Sequence, residues 1–167
     1  MEKKGWIAIL LAAALLSGCG ADADREKRQD AGNGTEVQEI SLDEKALTDA
    51  LLGLPYDKEV SALDAAEISN YIELYDGVEA VMYMSEGSTA EEFGIFTAPD
   101  ANVAAQQAAE IETFLADQKD SFRAYIPEEE VRIDQAVLIT EGRYVVLSVS
   151  GEPQEAEQLI REAFQGE

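Results

Sequence analysis

The sequence predicts an α+β domain: an antiparallel four-stranded sheet made from two β-β-α units, with helices packed on one face, preceded by one or two N-terminal helices. Three observations predict it. Two pairs of β-branched, apolar stretches are each joined by a turn signal, Glu86-Gly87-Ser88-Thr89 in the first and Glu141-Gly142 in the second. An apolar pattern at helical spacing follows each pair. A hydrophobic content of 46% supplies enough material for a core.

Ser41-Leu42-Asp43-Glu44 fits a capping box, with Ser41 as N-cap and Glu44 three residues on. Leu42, Ala46, Leu47, Ala50 and Leu51 then recur at helical spacing until Gly53-Leu54-Pro55 stops the helix. A second helical piece covers Asp64 to Ile72, with Ala65, Ile68 and Ile72 in phase. Val78 to Ser85 alternates as a strand, Val78, Ala80, Met82 and Met84 on one face and Val81 and Tyr83 on the other. Glu92 to Thr97 is the second strand, with Phe93 and Ile95 opposite Gly94 and Phe96. Pro99 falls near the first position of a long helix that runs to Arg123 or Tyr125 and is closed by Pro127. Ile133 to Thr140 and Tyr144 to Ser150 form the second strand pair, and Gly151-Glu152-Pro153 starts the last helix.

Charge and composition exclude several function classes. The 12 Lys+Arg face 35 Asp+Glu, a net charge of −23, so no nucleic-acid partner is expected. No His is present and Cys19 is the single cysteine, which removes the commonest general base, the commonest metal ligand and any internal disulfide. P-loop, dinucleotide glycine, nucleophile-elbow and thioredoxin patterns are missing. No catalytic set, no cofactor site and no metal site is therefore expected.

The N-terminus carries an address. Lys3 and Lys4 precede the eleven apolar residues Trp6 to Leu16, a run too short for the ~20 residues of a membrane-spanning helix but suited to a signal peptide. Leu16-Ser17-Gly18-Cys19 resembles the bacterial lipobox. That resemblance implies signal-peptidase recognition of Leu16, Ser17 and Gly18 and lipidation of Cys19, giving a diacylglyceryl anchor in the membrane. Two acyl chains hold stably where one does not. Cleavage before Cys19 removes two Lys and one Glu and shifts the net charge from −23 to −24. Three parts are expected: a signal peptide at 1–18, the lipidated Cys and an acidic linker at 19–40, and one α+β domain at 41–167. The 21 residues from Gly20 to Ile40 are polar and span ~25 Å as a flexible coil. Asp30, Asn33 and Glu36 lack the ligand spacing of a calcium loop.

Carboxylates are too numerous for any pair to stand out, with 28 between positions 41 and 167. Glu128-Glu129-Glu130 reads as the acidic first turn of a short helix, and Glu91-Glu92 as a solvated pair between loop and strand. Asp100 and Glu152 read as caps or partners of a helix dipole. Tyr71 and Tyr75 share a helix face or flank a turn, while Tyr83, Tyr125 and Tyr144 sit at element ends.

The lipobox, the acidic linker, Ser88 to Phe96, the helix ending Phe122-Arg123-Ala124-Tyr125 and the hairpin Gly142-Arg143-Tyr144-Val145 together resemble a family of small bacterial lipoproteins. These carry a domain of unknown function and come mainly from Gram-positive, clostridial-type bacteria. The resemblance covers about residues 42–165 and implies an extracytoplasmic α+β domain without assigned catalytic residues. The functional expectation is a lipid-anchored module on the outer face of the cell membrane that binds an envelope protein or a basic ligand. The alternative is a carboxylate-dependent hydrolase of envelope polysaccharide or peptide, and calcium-dependent adhesion is a third reading.

Overall fold

The computed structural model describes residues 40–166. The lipobox residues Leu16, Ser17, Gly18 and Cys19, the whole signal peptide and the linker up to Glu39 lie outside the described residues.

Ten elements follow one another. They are α1 (Glu44–Leu52), β1 (Val60–Ala62), α2 (Ala65–Ile68), β2 (Glu79–Ser85), β3 (Glu92–Thr97), α3 (Ala101–Arg123), α4 (Pro127–Asp134), β4 (Val137–Glu141), β5 (Tyr144–Val149) and α5 (Pro153–Gln165). The strands make one antiparallel sheet in the order β1-β2-β3-β5-β4. The α+β class holds, but the sheet has five strands, not four. The extra strand is three residues long, with Val60 paired to Ser85 and Ala62 to Tyr83. Val-Ser-Ala is too short to display an alternation, and its exposed position at the sheet edge places no apolar demand on Ser61.

Helix packing on one face is corrected as well. Both β3 and β5 are buried along their whole length. Phe96, Val145, Leu147 and Val149 join a core with Ile68, Ile111, Phe114 and Ile133, so α2, α3 and α4 cover that face. Phe93, Ile95, Tyr144 and Val146 join a second core with Leu47, Leu51, Ala156 and Ile160, so α1 and α5 cover the other. Strands as nearly continuously apolar as Tyr144–Val149, where Ser148 is the one polar exception, are what two-sided burial demands, because alternation survives only where one face stays wet. Each fully buried Phe or Ile contributes about 1.5–3 kcal/mol from apolar burial alone.

Local signals shift a few boundaries. The α1 N-cap is Asp43, whose Oδ1 accepts from Ala46 N at 2.9 Å, two residues after Ser41. The capping box belongs to α2: Asp64 Oδ1 accepts from Glu67 N at 2.9 Å while Glu67 Oε2 accepts from Asp64 N at 2.8 Å. Asp100 caps α3 by accepting from Asn102 N and Val103 N, which puts Pro99 just outside the helix. Glu152 stands at the α5 N-cap position without a side-chain cap bond. Ile133 lies in α4, not in a strand, because Pro127 begins a helix of its own. Gly94 is required by packing: a Cβ there would lie 2.7 Å from the buried Phe96 ring. Among the described residues, no helix is long and apolar enough to cross a membrane.

Candidate functional site

The edge of the sheet at β1 and β2, the end of α2 and the second half of α3 enclose an open cavity of about 630 Å³. Helical spacing assembles one wall, since Phe114, Asp117, Gln118, Ser121 and Phe122 lie at i, i+3, i+4, i+7 and i+8 of α3. Leu63 and Met84 add apolar surface from the strand side, and Tyr71, 53% exposed, stands beside Asn70 after α2. Among the described residues, three carboxylates, Glu67, Glu86 and Asp117, line it, and no Lys or Arg does. The β2–β3 turn closes one end, where Gly87 takes the left-handed conformation (φ +60°) that side chains resist. A smaller hollow of about 280 Å³ shares Gly87, Ser121 and Phe122 and continues toward Ile126 and the 86% exposed Tyr125.

Behind the α3 wall is a buried carboxyl. Glu92 begins β3 on the α3 side of the sheet, is fully buried, and accepts one hydrogen bond, from Gln118 Nε2 at 3.1 Å. Burial pushes its pKa from an ordinary 4.5 up to about 8, the Gln118 bond opposing the shift. The carboxyl is thus mostly protonated at neutral pH. Among the described residues, Glu92 Oε1 and Gln118 Oε1 are both buried and find no partner. A proton on Glu92 turns one of its oxygens into a donor in this acceptor-rich site. The Gln118 amide lines the cavity on one side and is held by Glu92 on the other.

Arg132 organises the neighbouring loops. From α4 it contacts Glu91 Oε1 at 2.5 Å, Asp57 Oδ2 at 2.5 Å and Glu129 Oε2 at 3.0 Å. Glu91 also accepts from Asp57 N at 2.8 Å and Lys58 N at 3.0 Å, and Glu129 accepts from Ala90 N at 2.8 Å. Burial draws the Arg132 pKa down, but the carboxylates of Asp57, Glu91 and Glu129 outweigh it and leave the value raised. Tyr56 packs near this group, where burial first and the Glu91 charge second raise its phenol. Every charge in the network is partnered, so its role is to clamp the segments before β1 and β3 onto α4.

Sequence reasoning placed these groups unevenly. Glu128, Glu129 and Glu130 do form the first turn of α4, yet Glu129 is buried and paired. Glu91 and Glu92 are not a solvated pair: they are 1% and 0% exposed and point to different partners. Tyr71 and Tyr75 both follow α2 and are exposed, but only Tyr71 reaches the cavity. Tyr83 stacks on Phe93 at 4.8 Å, and Tyr144 is core. Gln118 was not singled out by any pattern. Its signal was available only as a polar residue one turn from Phe114 and Phe122 on the apolar side of α3. Among the described residues, no group of three or more acidic, His or Cys side chains could hold a metal ion. Glu92 has the protonation state of a general acid at neutral pH, but it is sealed from solvent by Gln118 and α3.

The fold and site define an α+β domain with a two-faced antiparallel sheet and an acidic-lined cavity at its short-stranded edge. The chain belongs to the family described as Domain of unknown function (DUF4358), whose model matches residues 57–150. That span starts at Asp57 of the Arg132 network, ends just past β5 and contains every cavity-lining residue. No curated protein and no solved structure matches the chain.

Proposed function

We propose that this chain is a lipid-anchored extracytoplasmic protein whose acidic domain is a binding module, with the 630 Å³ cavity as its binding site. The observation that carries the binding role is the cavity itself, whose volume lies in the ~300–1,000 Å³ range of small-molecule sites and whose apolar wall is broken by a few polar groups. The anchor rests on the Leu16-Ser17-Gly18-Cys19 sequence, which makes Cys19 the lipidated first residue on the outer face of the cell membrane. The same reading makes the protein one of the small lipoproteins of Gram-positive, clostridial-type bacteria. An envelope protein or a basic ligand is the partner that the net charge of −23 favours.

Nuclear magnetic resonance with a chemically mixed fragment set tests the binding role. Fragment-induced shifts are expected to cluster on Tyr71, Gln118, Ser121 and Phe122. Shifts scattered over the surface, or confined to the α1/α5 side, overturn it.

A further inference from the structure

We propose that the cavity selects a small organic cation, an ammonium carried on an apolar or aromatic body, over neutral or anionic molecules of the same shape. The inference rests on the reading of this cavity as a binding site and adds the chemistry of what it takes.

Three features of the lining point to that class. First, its charges are all of one sign: Glu67, Glu86 and Asp117 are present without a Lys or Arg. Carboxylates around a concave, partly apolar surface focus the field on its interior and raise the local concentration of cations. Second, three aromatic side chains line it, the exposed Tyr71 and the more buried Phe114 and Phe122, and a cation within ~6 Å of a ring centroid is attracted by the ring quadrupole. Third, three of the hydroxyl donors there, those of Ser85, Thr89 and Ser121, are already engaged. Ser85 Oγ donates to Thr89 O at 2.8 Å, Ser121 Oγ donates to Asp117 O at 2.9 Å, and the Thr89 hydroxyl lies between Ser85 Oγ and Glu91 Oε2. One of the two Gln118 amide N–H donors is taken by Glu92. The lining therefore offers three carboxylates as acceptors, while the side-chain donors not engaged in this way are the neutral groups of Ser61, Asn70, Tyr71 and the second Gln118 N–H. An ammonium is the complement, with three N–H donors and no acceptor.

The volume fixes the scale. About 630 Å³ accommodates a single small molecule, so the occupant is a free amine and not a folded basic protein. The roles within the lining are separable. Glu67 closes the α2 capping box and so also holds structure. Glu86 and Asp117 make no side-chain hydrogen bond or ion pair within the described residues and are available to a ligand. Tyr71 supplies an exposed ring at the mouth.

The test uses three probes of matched size on the intact chain, titrated by nuclear magnetic resonance: 2-phenylethylamine (protonated), 2-phenylethanol and 3-phenylpropionate. The amine is expected to bind at the cavity about tenfold more tightly than the alcohol, and the anion to shift nothing there. Raising NaCl to about 0.5 M should narrow the gap between amine and alcohol, because exposed charges are screened within a few ångströms at that strength. The double variant Asp117→Asn, Glu86→Gln keeps the shape and should bring amine and alcohol to within about twofold, by removal of two of the three charges. Equal affinities for the three probes, or a preference that survives in the double variant, overturn cation selection. If mixed fragments cluster at the cavity while the amine does not, cation selection fails and the binding role stands. If no fragment clusters there, the underlying reading fails with it.

Discussion

Replacing Glu92 by Gln perturbs one proton and almost nothing else. The carboxyl is fully buried, its pKa rises from 4.5 to about 8, and Oε1 has no partner. Folding therefore takes up a proton at this site between those two values. The sign follows directly: over that window the folded state binds more protons than the unfolded one, so stability falls as pH rises. The contribution is fully present below 4.5 and is lost progressively up to about 8. At 1.36 kcal/mol per pH unit, holding the carboxyl costs about 1 kcal/mol at pH 5, about 3 at pH 7 and about 5 at pH 9. Glu92→Gln removes that cost at every pH, and its new N–H₂ brings donors to a site that holds two unpartnered acceptors, Glu92 Oε1 and Gln118 Oε1, among the described residues. The variant is expected to match the native chain within about 1 kcal/mol at pH 5 and to exceed it by about 3 kcal/mol at pH 7, roughly 10 °C in melting temperature for a domain of this size. Urea unfolding of both proteins at pH 5, 7 and 9 measures the widening gap. Parallel stability curves across that range would refute the buried neutral carboxyl.

Other outcomes test the remaining structure. Arg132→Met strands Glu91 and Glu129 without their cation and should lower stability by about 3–5 kcal/mol, read by chemical unfolding; Glu91→Gln in the same background should recover part of it. Gly94→Ala forces a methyl against the Phe96 ring at 2.7 Å and should cost about 1–3 kcal/mol, and an unchanged midpoint would show that the ring yields freely. Asp64→Ala removes the α2 capping box and should cost about 1 kcal/mol, with amide exchange rising first at Ala66 and Glu67. Cys19→Ala should abolish incorporation of labelled palmitate in growing cells, and label retained by the variant would dismiss the anchor.

Much of the element order was legible because period and punctuation agree. Glu92–Thr97 is the strand its alternation describes, and the long helix ends at Arg123, the earlier of the two ends expected, one residue past the apolar Phe122. The β2 faces also follow the alternation, with Met82 in one core and Tyr83 against the other. What escaped was set by tertiary context. β1 exists because Val60, Ser61 and Ala62 pair with the β2 edge, a contact that three residues do not announce. The second helix layer was hidden in plain view, since Tyr144–Val149 is apolar on both faces and only a sheet covered twice uses such a strand. The site divides in the same way. Its aromatic and acidic members are visible as residue types, but Leu63, Gln118 and Gly87 come from three separate segments that only the fold brings together. The Glu91-Glu92 pair at a strand start reads as wet because such carboxylates usually are, and nothing local records that Glu92 meets Gln118, 26 residues further on.

The most direct test of the binding role is to fill the cavity and ask whether ligands notice. Ser121 is an exposed position on α3 that borders both the main cavity and the hollow beside Tyr125, so Ser121→Trp adds bulk without entering a core. Fragment-induced shifts measured on the native chain and on this variant should cluster around Tyr71, Gln118 and Phe122 in the first and vanish in the second, at unchanged melting temperature. Shifts of the same size and position in both proteins would contradict the account.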